Sequence, residues 1–148
     1  MKFSKKSRYG MRALIDLTVN SKDGRVPLNS IAERNSISPQ YLEQVFASLR
    51  KAGIVKSIKG PQGGYLLNRS PEEITAAEVI KALEGDYCLE PENTTGDDNG
   101  HLIAETLQTF FIDKVNEQTD NILKEITLAD LAADYRNQQS DGAEMYYI

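Results

Sequence analysis

Five side chains in one short window, Ser38, Gln40, Tyr41, Glu43 and Gln44, carry hydroxyl, amide, phenol and carboxylate groups suited to reading the hydrogen-bonding edge of another molecule. Gln44 can present its amide bidentately to an adenine, and Glu43 can accept from cytosine N4. Glu43 also has a plainer reading, as an ordinary exposed carboxylate. A second group is the run K-G-P-Q-G-G, in which Lys59 and Gln62 stand among glycines at 60, 63 and 64. Glycines let a backbone approach a phosphate closely. The run is no nucleotide cradle, because no G-K-[ST] follows and the next residues are strand formers. Lys59 otherwise reads as a solvated turn lysine. Glu72 with Glu73, and Asp97 with Asp98, are the carboxylate pairs an enzyme would need. They fall in loops or at helix starts, where solvated charges are usual, and nothing beside them supplies a nucleophile or a metal. Cys88 and His101 are the single cysteine and the single histidine. Zinc sites and iron–sulfur clusters usually want three or four such ligands, so no metal or cofactor is expected. Asp86 and Glu90 flank the thiol, the reverse of the electropositive setting a reactive cysteine needs. Cys88 therefore reads as a small apolar residue, with a redox sensor as the alternative. His101 reads as a helix-start residue.

The charge distribution says what those groups would meet. The chain has 148 residues and a net charge of −5. Residues 1–69 carry 13 Lys and Arg against Asp16, Asp23, Glu33 and Glu43, a net +9, and residues 70–148 carry a net −14. Such asymmetry points to a half that faces nucleic acid and a half that does something else. The bland alternative is a charge gradient with no partner. Lys6, Arg8, Arg50 and Lys56 are the candidates for phosphate contacts, which give affinity and salt dependence without specificity. A chain this long buries roughly 68–70% of its unfolded surface and needs no disulfide or metal to fold. No run approaches 18 apolar residues, and no apolar core follows the amino terminus. A soluble, cytoplasmic protein without membrane contact is expected.

The elements that must hold these groups follow from periodicity. Residues 7–20 place Met11, Leu14, Ile15 and Thr18 at helical spacing. Residues 21–27, S-K-D-G-R-V-P, read as a connection, and a second short helix starts at Asn29 or Ser30. Ser38 before Pro39 is an N-cap followed by proline at the first helical position. Tyr41, Leu42, Val45, Phe46 and Leu49 then mark a third helix over 38–52, stopped by Gly53. Ile54–Ile58 and Tyr65–Asn68 read as a hairpin around 59–64. Helix, helix, helix, hairpin is a winged helix. Thr75 with Glu78 and Thr127 with Asp130 are capping boxes. Residues 86–100 have loop composition, and 101–126 predict a long helix of about 39 Å at 1.5 Å per residue. Its apolar stripe, Ile103, Leu107, Phe110, Phe111, Val115, Ile122, Leu123 and Ile126, has a polar gap at 116–121. Such a stripe asks for a partner, and pairing in a dimer is expected, with packing within the chain as the alternative.

The segments R-Y-G-M-R-A-L-I-D-L, S-I-A-E-R-N-S-I-S-P-Q-Y-L-E-Q, L-R-K-A-G-I-V-K-S-I-K-G-P-Q-G-G-Y-L-L and I-T-A-A-E-V-I-K-A-L-E-G together resemble the Rrf-type winged-helix regulators, essentially end to end. The closing M-Y-Y-I and T-L-A-D-L-A look most like the family's cysteine-metabolism repressors. The resemblance implies double-stranded DNA as the partner, with Tyr41, Glu43 and Gln44 at the reading positions and Lys59 entering the minor groove. Cluster-binding members carry three cysteines between the fourth helix and the long one, where this chain has only Cys88. In the cysteine-metabolism type, the enzyme O-acetylserine sulfhydrylase holds the regulator, and its active site accepts peptides ending in Ile; Ile148, with Tyr147 before it, matches that end. The other reading of this terminus is docking against its own dimer.

The expectation is a mainly α protein with a small β-hairpin. It has a winged helix-turn-helix domain over 1–85, a loop over 86–100, and over 101–148 a dimerisation helix, a short helix and a tail. The function expected is that of a homodimeric DNA-binding regulator, a repressor of sulfur and cysteine genes without an iron–sulfur cluster, and not an enzyme. The alternatives are an adaptor for protein interactions and a redox-sensing regulator using Cys88.

Overall fold

Ser4 opens the first helix, α1 (Lys5–Asn20), by accepting from the Ser7 N–H at 3.3 Å. The cap starts it two residues ahead of the expected span 7–20. Its buried positions, Ser7, Gly10, Ala13, Leu14, Leu17 and Thr18, recur at the helical period. At Gly10 an added Cβ would collide with Leu83 and press on Val45, so the glycine sets how closely the fourth helix approaches. The second helix, α2 (Leu28–Asn35), begins directly after Pro27 rather than at Asn29 or Ser30; the Pro27 carbonyl accepts from Ser30 at 3.1 Å. Proline fixes φ at this N-cap, and no side-chain hydrogen bond caps the helix. Ser36 closes α2 in the left-handed region at φ 53°, and Ile37 donates to the Ala32 carbonyl at 2.9 Å.

This turn aims the third helix, α3 (Pro39–Lys51), whose Ser38 cap accepts from the Tyr41 N–H at 3.1 Å. Leu42, Val45, Phe46 and Leu49 are buried completely. The strands β1 (Val55–Ile58) and β2 (Gly64–Leu67) pair antiparallel, with Val55 opposite Leu67 and Ser57 opposite Tyr65. The connection over 21–27 does more than connect. Val26 and Tyr65 exchange backbone hydrogen bonds of 3.0 and 2.9 Å, adding a rung beside the hairpin. A Cβ on Gly64 would sit 2.9 Å from the Val26 carbonyl oxygen, so only glycine admits that approach.

The computed structural model describes residues 2–61, 63–96 and 99–146. Thr75 caps α4 (Ala76–Glu84), but the Glu78 carboxylate turns to Arg69, so this capping box is half built. The expected long helix starts earlier, at Asn99, and is interrupted: α5 (Asn99–Leu107) passes through a π-helical turn (Gln108–Ile112) into α6 (Asp113–Glu125). The polar gap has a use. Asn116 exchanges hydrogen bonds with the Leu89 backbone at 2.8 and 3.3 Å, and Asp120 accepts from the Tyr87 hydroxyl. Tyr87 is buried among Ala77, Ile80, Met11 and Leu123, and its hydroxyl is pushed up to about 12 by burial first and by Asp120 second. Gln108 accepts from the Glu92 N–H at 2.7 Å and donates to Asp113 at 2.7 Å. The loop is thereby strapped onto the helix.

Thr127 and Asp130 complete their capping box at 3.0 and 3.1 Å and open α7 (Leu128–Tyr146). A short helix followed by a polar tail was expected; the helix instead runs 19 residues. Gln138 to Asp134 and Gln139 to Tyr135 bonds at i, i+4 carry it through a stretch that lacks an apolar stripe. α7 packs along α1, and Leu128 donates to the Ile74 carbonyl at 3.0 Å. Among the described residues no helix is long and apolar enough to cross a membrane.

Glu84 ties the last turn of α4 to the first turn of α1, accepting from the Ser4 N–H and the Ser7 hydroxyl, each at 2.7 Å. Those bonds, Ser4 first, hold its carboxyl below the ordinary 4.5. The fold thus favours the ionised form, so this stabilisation is complete above 4.5 and fades as pH falls through the depressed folded value. Glu84→Gln is expected to cost about 1–2 kcal/mol at pH 7, as a charge-assisted hydrogen bond would. Urea titrations should show the variant losing less stability than the parent between pH 5 and pH 3, on the order of that same difference. Parallel curves would overturn the assignment.

Candidate nucleic-acid interface

Burial of one face of α3 turns the opposite face outward. Gln40, Glu43 and Gln44 stand at i, i+3 and i+4 and are all exposed. Glu43 shares a cleft of about 260 Å3 with Pro27, Leu28, Asn29, Gly63, Gly64 and Tyr65. The helix and the foot of the wing therefore form one surface. Lys59 is exposed just past the end of β1, and Gln62 lies outside the described residues.

Two of the expected reading residues have other duties. The Ser38 oxygen serves the cap, which leaves its O–H free to donate outward. Tyr41 is half-buried, with its ring edge-on to Tyr9 at 6.0 Å between centroids, so it is part wall and part surface. The cationic residues separate likewise. Lys6 is half-buried and donates to the Ser48 hydroxyl at 3.1 Å, bracing α1 against α3. Arg8 is exposed, with its guanidinium 4.9 Å from the Phe3 ring centroid. Arg50 is exposed in the last turn of α3, and Lys56 is exposed on β1.

Three residues escaped the sequence reading. Lys5, Tyr9 and Arg12 recur at i, i+4 and i+7 on α1, and both cations lie 5.4 Å from the Tyr9 ring centroid. That spacing was visible in the chain. What was not visible is that Tyr41, from the start of α3, completes the group.

Metal donors are sparse. The chain holds one cysteine, and among the described residues no group of three or more His, Cys, Asp or Glu could hold a metal ion. Cys88 is half-buried, and its thiol is pushed up by burial first and then by Asp86, whose carboxylate also accepts from the Cys88 N–H at 2.9 Å. His101 stands in the first turn of α5, its Nε2 3.6 Å from Glu105.

Comparison with known proteins places this architecture. Residues 3–134 match the Rrf2 model, described as an iron-dependent transcriptional regulator. The donor set of this chain does not fit a thiolate-held iron centre. Over all 148 residues, and the whole length of the relative, the chain is 37% identical to the transcriptional regulator CymR of Bacillus subtilis. The solved structure of CymR, titled the global cysteine regulator of B. subtilis, superposes with a TM-score of 0.75, covering 90% of this chain and 97% of that one. The T. potens IscR structure, 38% identical, gives 0.73 over 94% and 91%. These relatives are named as regulators rather than enzymes, and their fold is the helix–hairpin arrangement described above. The chain belongs to the Rrf2 family of winged-helix, DNA-binding transcriptional regulators.

Proposed function

We propose that the protein is a homodimeric repressor of sulfur and cysteine metabolism genes, acting in the cytoplasm on an imperfect palindrome. The observation that carries the DNA-reading part is the exposed row Gln40, Glu43 and Gln44 beside the wing. A major groove admits one helix, and the first exposed turns of α3 are the ones free to meet base edges. Residues 1–85 form the reading module, 86–100 the loop, and 101–148 the dimerising and tail-bearing part. The gene class rests on likeness to the B. subtilis regulator over the full length of both chains. Replacing Gln44 by Ala is expected to cost about 1–3 kcal/mol on the cognate site and to relax one base position. Lys59→Ala should weaken binding to all sequences alike. Equal losses for Gln44→Ala on cognate and scrambled duplexes would sink the readout role.

The dimer is supported by what the first half of the long helix leaves uncovered. Leu102, Ile103, Leu107, Phe110 and Phe111 are 42–72% exposed along α5 and the π turn. Monomers seldom carry such a contiguous apolar stripe unless a partner covers it. Sedimentation at micromolar concentration should show a dimer that dissociates to monomers with Ile103→Glu and Phe110→Glu together. A monomeric parent, or a variant that stays dimeric, would refute this interface.

The tail supplies the signal in this reading. Tyr147 and Ile148 lie outside the described residues, so the support is chemical: a terminal carboxylate behind an apolar residue is a recognised docking unit. We infer that O-acetylserine sulfhydrylase captures Ile148. Titration of that enzyme with the full chain should give saturable binding that disappears when Tyr147 and Ile148 are removed. Absence of binding by the full chain, or binding untouched by the truncation, would eliminate this partner.

A further inference from the structure

Resting on the DNA-binding reading, we propose that Lys5, Tyr9 and Arg12 of α1, together with Tyr41 of α3, form a seat for one backbone phosphate of the operator. The seat is a second anchor, distinct from the wing. It has the shape of a cleft of about 260 Å3, lined by Lys5, Tyr9, Ser36, Ile37, Ser38 and Tyr41. Lys5 and Arg12 are both exposed, and each lies 5.4 Å from the centroid of the Tyr9 ring. Both cations thus lie within reach of one ring on the same helix. Tyr41 meets Tyr9 edge-on at 88°, a geometry that fixes both rings.

The chemistry of this group favours one class of ligand. The cleft offers one cation, Lys5, with two phenol hydroxyls and the Ser38 hydroxyl, and none of its lining residues is a carboxylate; Arg12, 5.4 Å from the Tyr9 ring centroid, adds a second cation from the neighbouring cavity that also holds Asp16. That is a donor set for a singly charged phosphodiester. Phosphate oxygens are commonly held by Lys, Arg, Ser and Tyr side chains, and such contacts fix register on the duplex without reading sequence. The location agrees. Ser38 and Tyr41 belong to the first turn of the helix whose next exposed residues are Gln44 and Glu43, so a phosphate here would bracket the bases read beside it. Arg12 also donates to the Asn35 carbonyl at 2.9 Å, which positions its guanidinium at the α2–α3 turn rather than leaving it free to wander.

The measurement is the slope of log K against log salt for the full-length chain on a duplex bearing its operator, and on a scrambled duplex. Each neutralised phosphate contributes about 0.9 to that slope in B-DNA. Lys5→Ala and Arg12→Ala should each make the slope shallower by up to about 0.9, on both duplexes, leaving the ratio of cognate to scrambled affinity unchanged. Lys5→Arg should restore the parent slope. Arg136→Ala, which removes the same charge from α7, should leave the slope as it was. Excess inorganic phosphate, at matched ionic strength, should not compete, which separates a duplex backbone from a free phosphate ligand. If the parent binds with a salt slope and the Lys5 and Arg12 variants keep it, the seat does not exist, whatever happens at Gln44. The same conclusion follows if Arg136→Ala flattens the slope equally. If the parent shows no salt-dependent binding to duplex DNA, the DNA-binding reading falls, and the seat with it.

Discussion

Everything this protein presents from α3 depends on the burial of the opposite side of that helix. Leu42, Val45, Phe46 and Leu49 are shielded from water completely, and each is worth roughly 1.5–3 kcal/mol of transfer free energy. With one face so fixed, the helical period leaves Gln40, Glu43 and Gln44 no choice of direction. Phe46 also carries the constraint to the wing. Its ring meets Tyr65 of β2 edge-on, with centroids 4.8 Å apart, and Tyr65 is bonded through its backbone to Val26. One aromatic contact therefore sets α3, the hairpin and the entry to α2 in a single register.

The long helix shows a different use of the same physics. Its sequence alone suggests one helix whose apolar stripe breaks at 116–121, yet the molecule divides it earlier, at the π turn. At the last position of that turn Ile112 is buried, and beyond it Leu123 packs against the Tyr87 cluster; before and within the turn, Leu102, Ile103, Phe110 and Phe111 meet solvent. An added residue in one turn rotates the following face relative to the preceding one, so a single stripe serves two surfaces. Gln108 sits at the first position of the turn and bonds both the loop and Asp113. The interruption is thus held by side chains.

How much of this was legible in the sequence follows from which interactions are local. Caps, periods and turn glycines act within a few residues, so Ser38–Pro39, the α3 stripe, Gly53 and the Thr127–Asp130 box were readable. The rung between Val26 and Tyr65 and the strap over Asn116 join residues far apart in the chain, and the half-used capping box at Thr75 turns on Arg69, nine residues before Glu78; no local pattern announces them. The length of α7 is hidden from the sequence for another reason. Its second half owes its helicity to paired polar side chains rather than to an apolar stripe, and stripe-based reading sees only a polar tail. At the candidate site the exposed row on α3 was foreseen, while the α1 cluster was not, because its fourth member comes from another helix.

The junction of α1, α2 and α7 shows how the acidic half bears on the basic one. Asp16 is only 10% exposed in its side chain and accepts from Nε and Nη2 of Arg34, at 2.9 and 2.6 Å, from the Asn35 amide at 3.0 Å and from the Asn20 amide at 3.2 Å. An enclosed carboxylate with four such bonds, three of them to α2, leaves little freedom in the angle between α1 and α2. Arg34 answers in kind: its hydrogen bond to Asp16 raises its pKa above the ordinary arginine value. Tyr135 and Gln139 of α7 line the same cavity, of about 430 Å3, with Arg12, Asp16, Arg34 and Asn35. The helix that leads to the carboxyl terminus thus rests on the polar clamp that sets α2, and α2 aims α3 through the left-handed turn at Ser36. Tyr135 and Gln139 thus set α7 beside Asp16, Arg34 and Asn35, and only the turn at residues 36–38 separates Asn35 from α3 and its exposed row.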